Sequence, residues 1–174
     1  MKLLLLALVL GGVALHGQTD GQWQGFDGEW GHVSRQLLAL AEATPAEKFA
    51  WRPAAGVRSV SEVYMHIAVA NFYLLSVTGP AMPADMKSPE MEKTVTAKAD
   101  VIAWLKRSLE AVRAAHLAVT PADLQRKVTV YGTDATVDGV YLRIVIHANE
   151  HMGQSVAYAR MNGIVPPWSR SKGQ

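Results

Sequence analysis

The chain of 174 residues contains no cysteine. That excludes disulfide frameworks, thiolate metal sites and cysteine nucleophiles together. It also suits an oxidising compartment, where a stray thiol is a liability. Runs of basic residues are missing too. Lys and Arg number 17 against 15 Asp and Glu, and they are scattered along the chain. A nucleic-acid binder needs a concentrated basic face, so nucleic acid is not an expected partner. Charged residues make up only 18% of the chain and apolar ones 49%. That is enough to bury a core without a metal staple, so any metal is expected to serve function rather than folding.

What is present begins with a leader. Met1-Lys2 is a short positive stretch, and Leu3 to Leu15 is an apolar run broken by Gly11-Gly12. The polar segment His16-Gly17-Gln18-Thr19-Asp20 follows. The apolar run is too short for a comfortable membrane span, and the pattern reads as a secretory signal peptide over residues 1–17. Cutting after Gly17 leaves one domain, residues 18–174, exported to the periplasm or the medium with no stable membrane insertion. If the leader is not cleaved, it is a membrane anchor.

Four later stretches carry helical periodicity. Phe26, Trp30, Val33, Leu37, Leu40 and Ala41 form the first apolar stripe. Thr44-Pro45-Ala46-Glu47 then reads as a fresh N-cap and a short helical turn. Ser59-Val60-Ser61-Glu62 is a capping box that opens the second helix, and Gly79-Pro80 ends it. From Pro80 to about Lys93 three prolines and no periodicity predict a loop, long enough to cross the length of a bundle. The third helix is expected from about Thr96 to Ala118, stopped by Thr120-Pro121-Ala122-Asp123. The alternating residues Lys127–Tyr131 and Ala135–Val137 predict a β-hairpin around Gly132-Thr133-Asp134. The fourth helix, capped by Thr136 or Asp138, is expected to reach Asn162, with Gly163 at C′ and Pro166-Pro167 beyond it. The expected fold class is all-α: a four-helix bundle with a long crossover and a short β-hairpin before the last helix.

Six histidines occur, and His147-Ala148-Asn149-Glu150-His151 is the informative group. Residues i and i+4 sit one turn apart on one face of a helix, so both imidazoles can reach one ion. They share the stripe Val140, Ile144, His147, His151, Ser155 and Tyr158, which is expected to point inward. Two inward histidines are costly unless something pairs with them. The spacing also matches the inverted zinc-protease motif H-x-x-E-H, with Glu150 as general base. Those enzymes take an acidic third ligand from downstream, and no Asp or Glu follows His151. The third ligand must therefore lie upstream, where His66, His116 and His32 are candidates. Bundle sites are built at mid-height from facing helices, which favours His66 modestly.

Several motifs together resemble the DinB-like superfamily of small metal-binding bundles. They are Trp51-Arg52-Pro53, Arg58-Ser59-Val60, His66-Ile67-Ala68, His147 with His151-Met152-Gly153-Gln154, and Arg160, Gly163 and Pro166-Pro167. The resemblance covers most of the chain after the leader. It implies an up-down-down-up bundle holding a divalent metal on His66, His147 and His151. Where function is known, such proteins resemble S-transferases and isomerases that use a low-molecular-weight thiol.

Three neutral imidazoles favour zinc or nickel, with iron(II) or copper next, over magnesium or calcium. Three protein ligands leave room for water or substrate, as in catalytic sites. The expected function is a metal-dependent enzyme acting on a small molecule, with S-transfer from a thiol as the first reading. The alternatives are a metal-water hydrolase, or a non-catalytic binding or stress protein, for which a homodimer is one expected form. Glu150 lies about 60° around the helix from His147 and about 100° from His151. It is the candidate catalytic acid or base, or a partner to the ligands. Tyr64, Tyr73, Tyr131 and Tyr158 are candidates to line a pocket, although Tyr on an inward face is usually core.

Overall fold

The capping box read at Ser59 forms. The Glu62 N–H donates to Ser59 Oγ at 3.3 Å, and the Ser59 N–H donates to Glu62 Oε2 at 2.7 Å. This launches the helix Val60–Thr78, and the computed structural model describes it within residues 24–170. The leader expected over residues 1–17 lies outside the described residues.

The elements in order are α1 (Gly25–Ala43), a 3-10 turn (Ala46–Lys48), α2 (Val60–Thr78), α3 (Met91–Thr94), α4 (Lys98–Ala118) and α5 (Pro121–Leu124). The hairpin β1 (Lys127–Val130) and β2 (Thr133–Thr136), α6 (Val137–Met161) and a second 3-10 turn (Pro167–Ser169) complete them. Among the described residues the fold is mostly helical with one small two-stranded sheet.

Each long helix ends where its terminal residues require. At the end of α6 the Gly163 N–H donates to the Arg160 carbonyl and the Ile164 N–H to that of Ala159, with Gly163 at φ +72°. That is a Schellman closure, and glycine fits its left-handed residue. The two Thr-Pro-Ala-acid segments diverge. Thr120 makes the capping box with Asp123 that starts α5. Thr44 instead turns its hydroxyl back onto the Leu40 carbonyl at 2.8 Å, so it closes α1 and caps nothing ahead of it. Thr44 is buried against the end of α1, where that carbonyl is the acceptor within reach.

The hairpin turn also differs from the expected one. Val130 pairs with Thr133, so the two-residue turn is Tyr131-Gly132, both at positive φ. This is the I′-type geometry that matches strand twist, and Thr133-Asp134 belong to β2. The Val137 N–H donates to the Arg126 carbonyl, and the Arg126 guanidinium donates to the Thr78 carbonyl. Both ends of the hairpin are thereby tied to the helices.

Side-chain contacts fix how the long helices lie. Asp27 meets His116, and Lys98 meets the carbonyls of Glu42 and Thr44, so α1 and α4 run in opposite directions. Arg58 meets Tyr158 while His66 meets His147, so α2 and α6 are also opposed. Phe26 packs on Tyr141, and Thr44 flanks the same small cavity as Ser155 and Tyr158, so α1 and α6 run together. The core joins Trp30, Val33 and Leu37 of α1 to Val63 and Ile67 of α2, Leu105 and Leu109 of α4, and Ile144 and Ala148 of α6. The Trp30 indole N–H donates to the Leu109 carbonyl at 3.0 Å, so its polar edge is satisfied inside that core. α2 is apolar nearly all round because α4 and α6 cover it on two sides and α3 and β1 touch it as well. Its length and composition would suit a membrane span, but most of its surface is buried in protein.

The Ser59 cap lies two turns ahead of His66 and sets where that histidine stands. Ser59→Ala should lower stability by about 1 kcal/mol, read as a shifted midpoint in urea with an unchanged slope. An unshifted midpoint would mean that the cap does not hold this helix end.

Candidate metal centre

α2 and α6 present three imidazoles to one point. His147 Nε2 lies 3.1 Å from His66 Nε2 and 3.2 Å from His151 Nε2. Among the described residues, these three are the group whose donor atoms converge, all within 4.8 Å of one another. His147 is buried, and His66 and His151 are half-buried. The i, i+4 spacing therefore does what the sequence suggested, and α2 supplies the facing ligand.

The outer nitrogens explain the arrangement. His66 Nδ1–H donates to Glu92 Oε2 at 2.8 Å, and His151 Nδ1–H donates to the amide oxygen of Gln154 at 2.8 Å. An imidazole whose proton is held on Nδ1 presents a lone pair at Nε2. The anchors are linked in turn. Gln154 Nε2–H donates to the Tyr158 hydroxyl at 2.9 Å, and that hydroxyl donates to the Arg58 carbonyl at 3.2 Å. The Arg58 guanidinium is ion-paired with Glu92. A single run of hydrogen bonds thus leads from His151 around to His66. Trp51 meets Tyr158 edge to face at 5.3 Å, and Arg52 bridges the Val57 carbonyl and Glu62. The loop before α2 is thereby braced against both the cap and the relay.

Electrostatics agrees with neutral rings. Burial, followed by the neighbouring His151 and His66, pushes the His147 pKa down to about 4. Burial also lowers that of His66, despite its Glu92 partner. Burial alone would raise the Glu92 carboxyl, but its bonds to Arg58 and His66 outweigh that and hold it below the usual range.

A metal fits this set on proton counting. With His66 and His151 protonated at Nδ1, two lone pairs face His147, and His147 Nδ1 is buried without a partner. If the His147 proton sits on Nε2, that buried Nδ1 lone pair is orphaned. If it sits on Nδ1, three lone pairs face one another. A divalent transition ion accepting all three Nε2 lone pairs relieves the second arrangement, in which the His147 proton stays on Nδ1. Nitrogens on one tetrahedral ion stand about 3.3 Å apart, close to the two distances seen.

The profile of the DinB superfamily matches residues 29–155. The chain belongs to the DinB superfamily. Among solved structures it is similar to a DinB-like protein from Bacillus cereus ATCC 10987, at 21% identity and a TM-score of 0.69, covering 82% of this chain and 94% of that one. At that identity the likeness speaks to the fold. A comparison with curated proteins gives no match.

The remaining candidates lie elsewhere or are engaged. His116 is bonded through Nδ1 to Asp27 at 2.8 Å and packs on Phe26 and Tyr141. His32 is half-buried on α1, outside the converging group. Glu150 is exposed and held by both terminal nitrogens of Arg143, at 3.0 and 2.9 Å, a bond that lowers its pKa. Gln154, which the sequence presents only as part of a family motif, accepts from His151. Glu92 was missed, because it lies in a crossover with no periodicity, and Arg58 gave no sign of its role as the partner of Glu92.

Removing any one of His66, His147 or His151 should abolish stoichiometric metal, measured by elemental analysis of the purified protein. Glu92→Ala should keep the stoichiometry but weaken affinity about 10- to 100-fold in chelator competition, with Glu92→Gln weaker in effect. Unchanged affinity in Glu92→Ala would remove it from the site.

Proposed function

We propose that the chain is a metal-dependent enzyme that transfers a low-molecular-weight thiol to a small electrophilic substrate, with zinc or nickel on His66, His147 and His151 and iron as the next choice. The four long helices are read as an up-down-down-up bundle. The opposed pairs α1/α4 and α2/α6, with α1 and α6 running together, support this reading. In that arrangement α2 and α4 are parallel, which is why a crossover must return the length of the molecule between them and can deliver Glu92 to His66 on the way. Residues 1–17 are proposed to export the protein, and a homodimer is the proposed form for any non-catalytic role.

One observation carries the choice of chemistry. Glu92 is committed to Arg58 and His66, and Glu150 to Arg143. An ion would lower the pKa of a bound water as well as of a bound thiol, whose proton passes to solvent. Ester or amide hydrolysis also calls for a free acid–base group to protonate the leaving group, a role these engaged carboxylates are poorly placed to fill. When bound, the ion supplies Lewis acidity, which keeps a coordinated thiol as thiolate at neutral pH. The protein residues have the remaining tasks. Glu92 and Gln154 hold the ring protons of His66 and His151 away from the centre. Arg58 and Tyr158 hold those two in place. An open cleft of about 710 Å³ lined by Arg52, Arg58, Glu92, Lys93 and Gln154 gives a co-substrate room beside the ligands.

The test is conjugation of a thiol to an electrophilic aromatic probe by metal-loaded protein, by chelator-stripped protein and by His147→Ala. Turnover is expected in the first alone. Glu150→Gln should retain metal and keep the rate within a few-fold. Loss of 10²- to 10⁴-fold in Glu150→Gln, with ester or amide hydrolysis in the absence of thiol, would overturn the transfer reading in favour of metal-water hydrolysis.

A further inference from the structure

Tyr131 carries an unexplained burden. It occupies the first turn position of the β1–β2 hairpin at φ +50°, a region bulky residues seldom enter and one where Asn, Asp or Gly is preferred. The residue is 74% exposed, so burial does not account for the choice. The ring lies nearly flat on Tyr73 of α2, with centroids 5.2 Å apart and planes 26° from parallel, and Tyr73 is itself exposed. Two exposed tyrosines are thus stacked beside each other at the tip of a hairpin.

Beneath that tip is a cavity of about 220 Å³, lined by Leu74 of α2, Val130, Tyr131 and Ala135 of the hairpin, and Gly139 and Arg143 of α6. Gly139 lies in its wall, where a Cβ would meet only Thr136 Oγ1 at an ordinary 3.4 Å, so a larger side chain can be introduced there. Arg143 is the charged group at its wall. Glu150 engages its two terminal nitrogens, which leaves the Nε–H edge and the flat face of the guanidinium to other contacts.

The cavity lies one to two helical turns from the histidines. Arg143 stands one turn before His147 on the same face of α6, about 6 Å along the axis. Tyr73 stands two turns after His66 on the same face of α2. Because α2 and α6 are opposed, both steps lead the same way from the ligands, toward the hairpin and away from the cleft beside Glu92 and Gln154.

We propose that Tyr73, Tyr131, Arg143 and the cavity under the hairpin form a binding site for a planar aromatic or conjugated molecule of one or two rings. Tyrosine faces and a guanidinium plane stack on such a molecule, and the apolar floor accepts its edge. Its role as the seat of the electrophilic substrate rests on the thiol-transfer reading. The binding itself does not.

The experiment measures binding of 2-naphthol to the full chain by calorimetry and by amide chemical shifts, with no thiol present. In the wild type, shifts should cluster at Tyr131, Gly132 and Gly139. Tyr131→Asn removes the ring while installing a preferred turn residue. It should weaken binding by about three- to tenfold without lowering the unfolding temperature. Gly139→Leu should fill the cavity and abolish binding. Equal affinity in Tyr131→Asn, shifts clustered elsewhere, or equally tight binding of the saturated decahydro-2-naphthol would overturn the site. Because no turnover is read, failure here leaves the transferase assay standing, and failure of that assay leaves this result standing.

Discussion

Where two ring protons sit decides what this molecule can hold. His66 and His151 each give their Nδ1–H to an outward acceptor, Glu92 and Gln154, so each turns a lone pair inward. If either acceptor were lost, that ring could move its proton to Nε2 and satisfy a neighbouring imidazole instead. The centre would then be three histidines bonded to one another. The run through Gln154, Tyr158, Arg58 and Glu92 prevents this by fixing both tautomers from one connected set of bonds. It draws on the loop before α2, on α3 and on α6, so ligand geometry depends on elements remote in sequence.

That dependence gives the crossover a second role. The crossover between Thr78 and Lys98 joins two long helices, and such a segment is ordinarily solvated loop. Here it carries the short helix Met91–Thr94, and Glu92 meets both Arg58 and His66. The carboxylate sits where an arginine and an imidazole converge, so its two oxygens are both used. A connection between helices thus also orients one of the three histidines.

Much of the architecture was legible because its signals are local. The capping box at Ser59, the stripe from Trp30 to Ala41, and the closure at Gly163 each act within a few residues. The same holds for His147 and His151, one turn apart. His66 was less legible, since periodicity places it on a face but not opposite a particular partner, and the family resemblance supplied the choice. Glu92 was invisible, because its role comes from a contact 26 residues away in sequence. Tyr131 misled for a different reason. Turn chemistry favours Gly, Asn and Asp at positive φ, so a tyrosine there shifted the expected turn toward Thr133-Asp134. Thr44 and Thr120 show the remaining limit: nearly identical segments differ in their bonding because one is buried against the end of α1 and the other is exposed.

The core and the centre also stand apart energetically. Trp30, Leu37, Ile67, Leu105 and Ile144 are each at most 1% exposed and need no ion to pack. The centre holds three close imidazoles, with one buried nitrogen that no protein group satisfies. An unsatisfied buried polar atom costs about 1–3 kcal/mol, a local cost that an apolar core of this size can offset. Packing of the core therefore draws nothing from the centre. Binding then adds stability through linkage, growing with the logarithm of ion concentration over its dissociation constant. Because folding does not call for a fourth protein ligand, three histidines would leave a tetrahedral ion one coordination position for a further ligand.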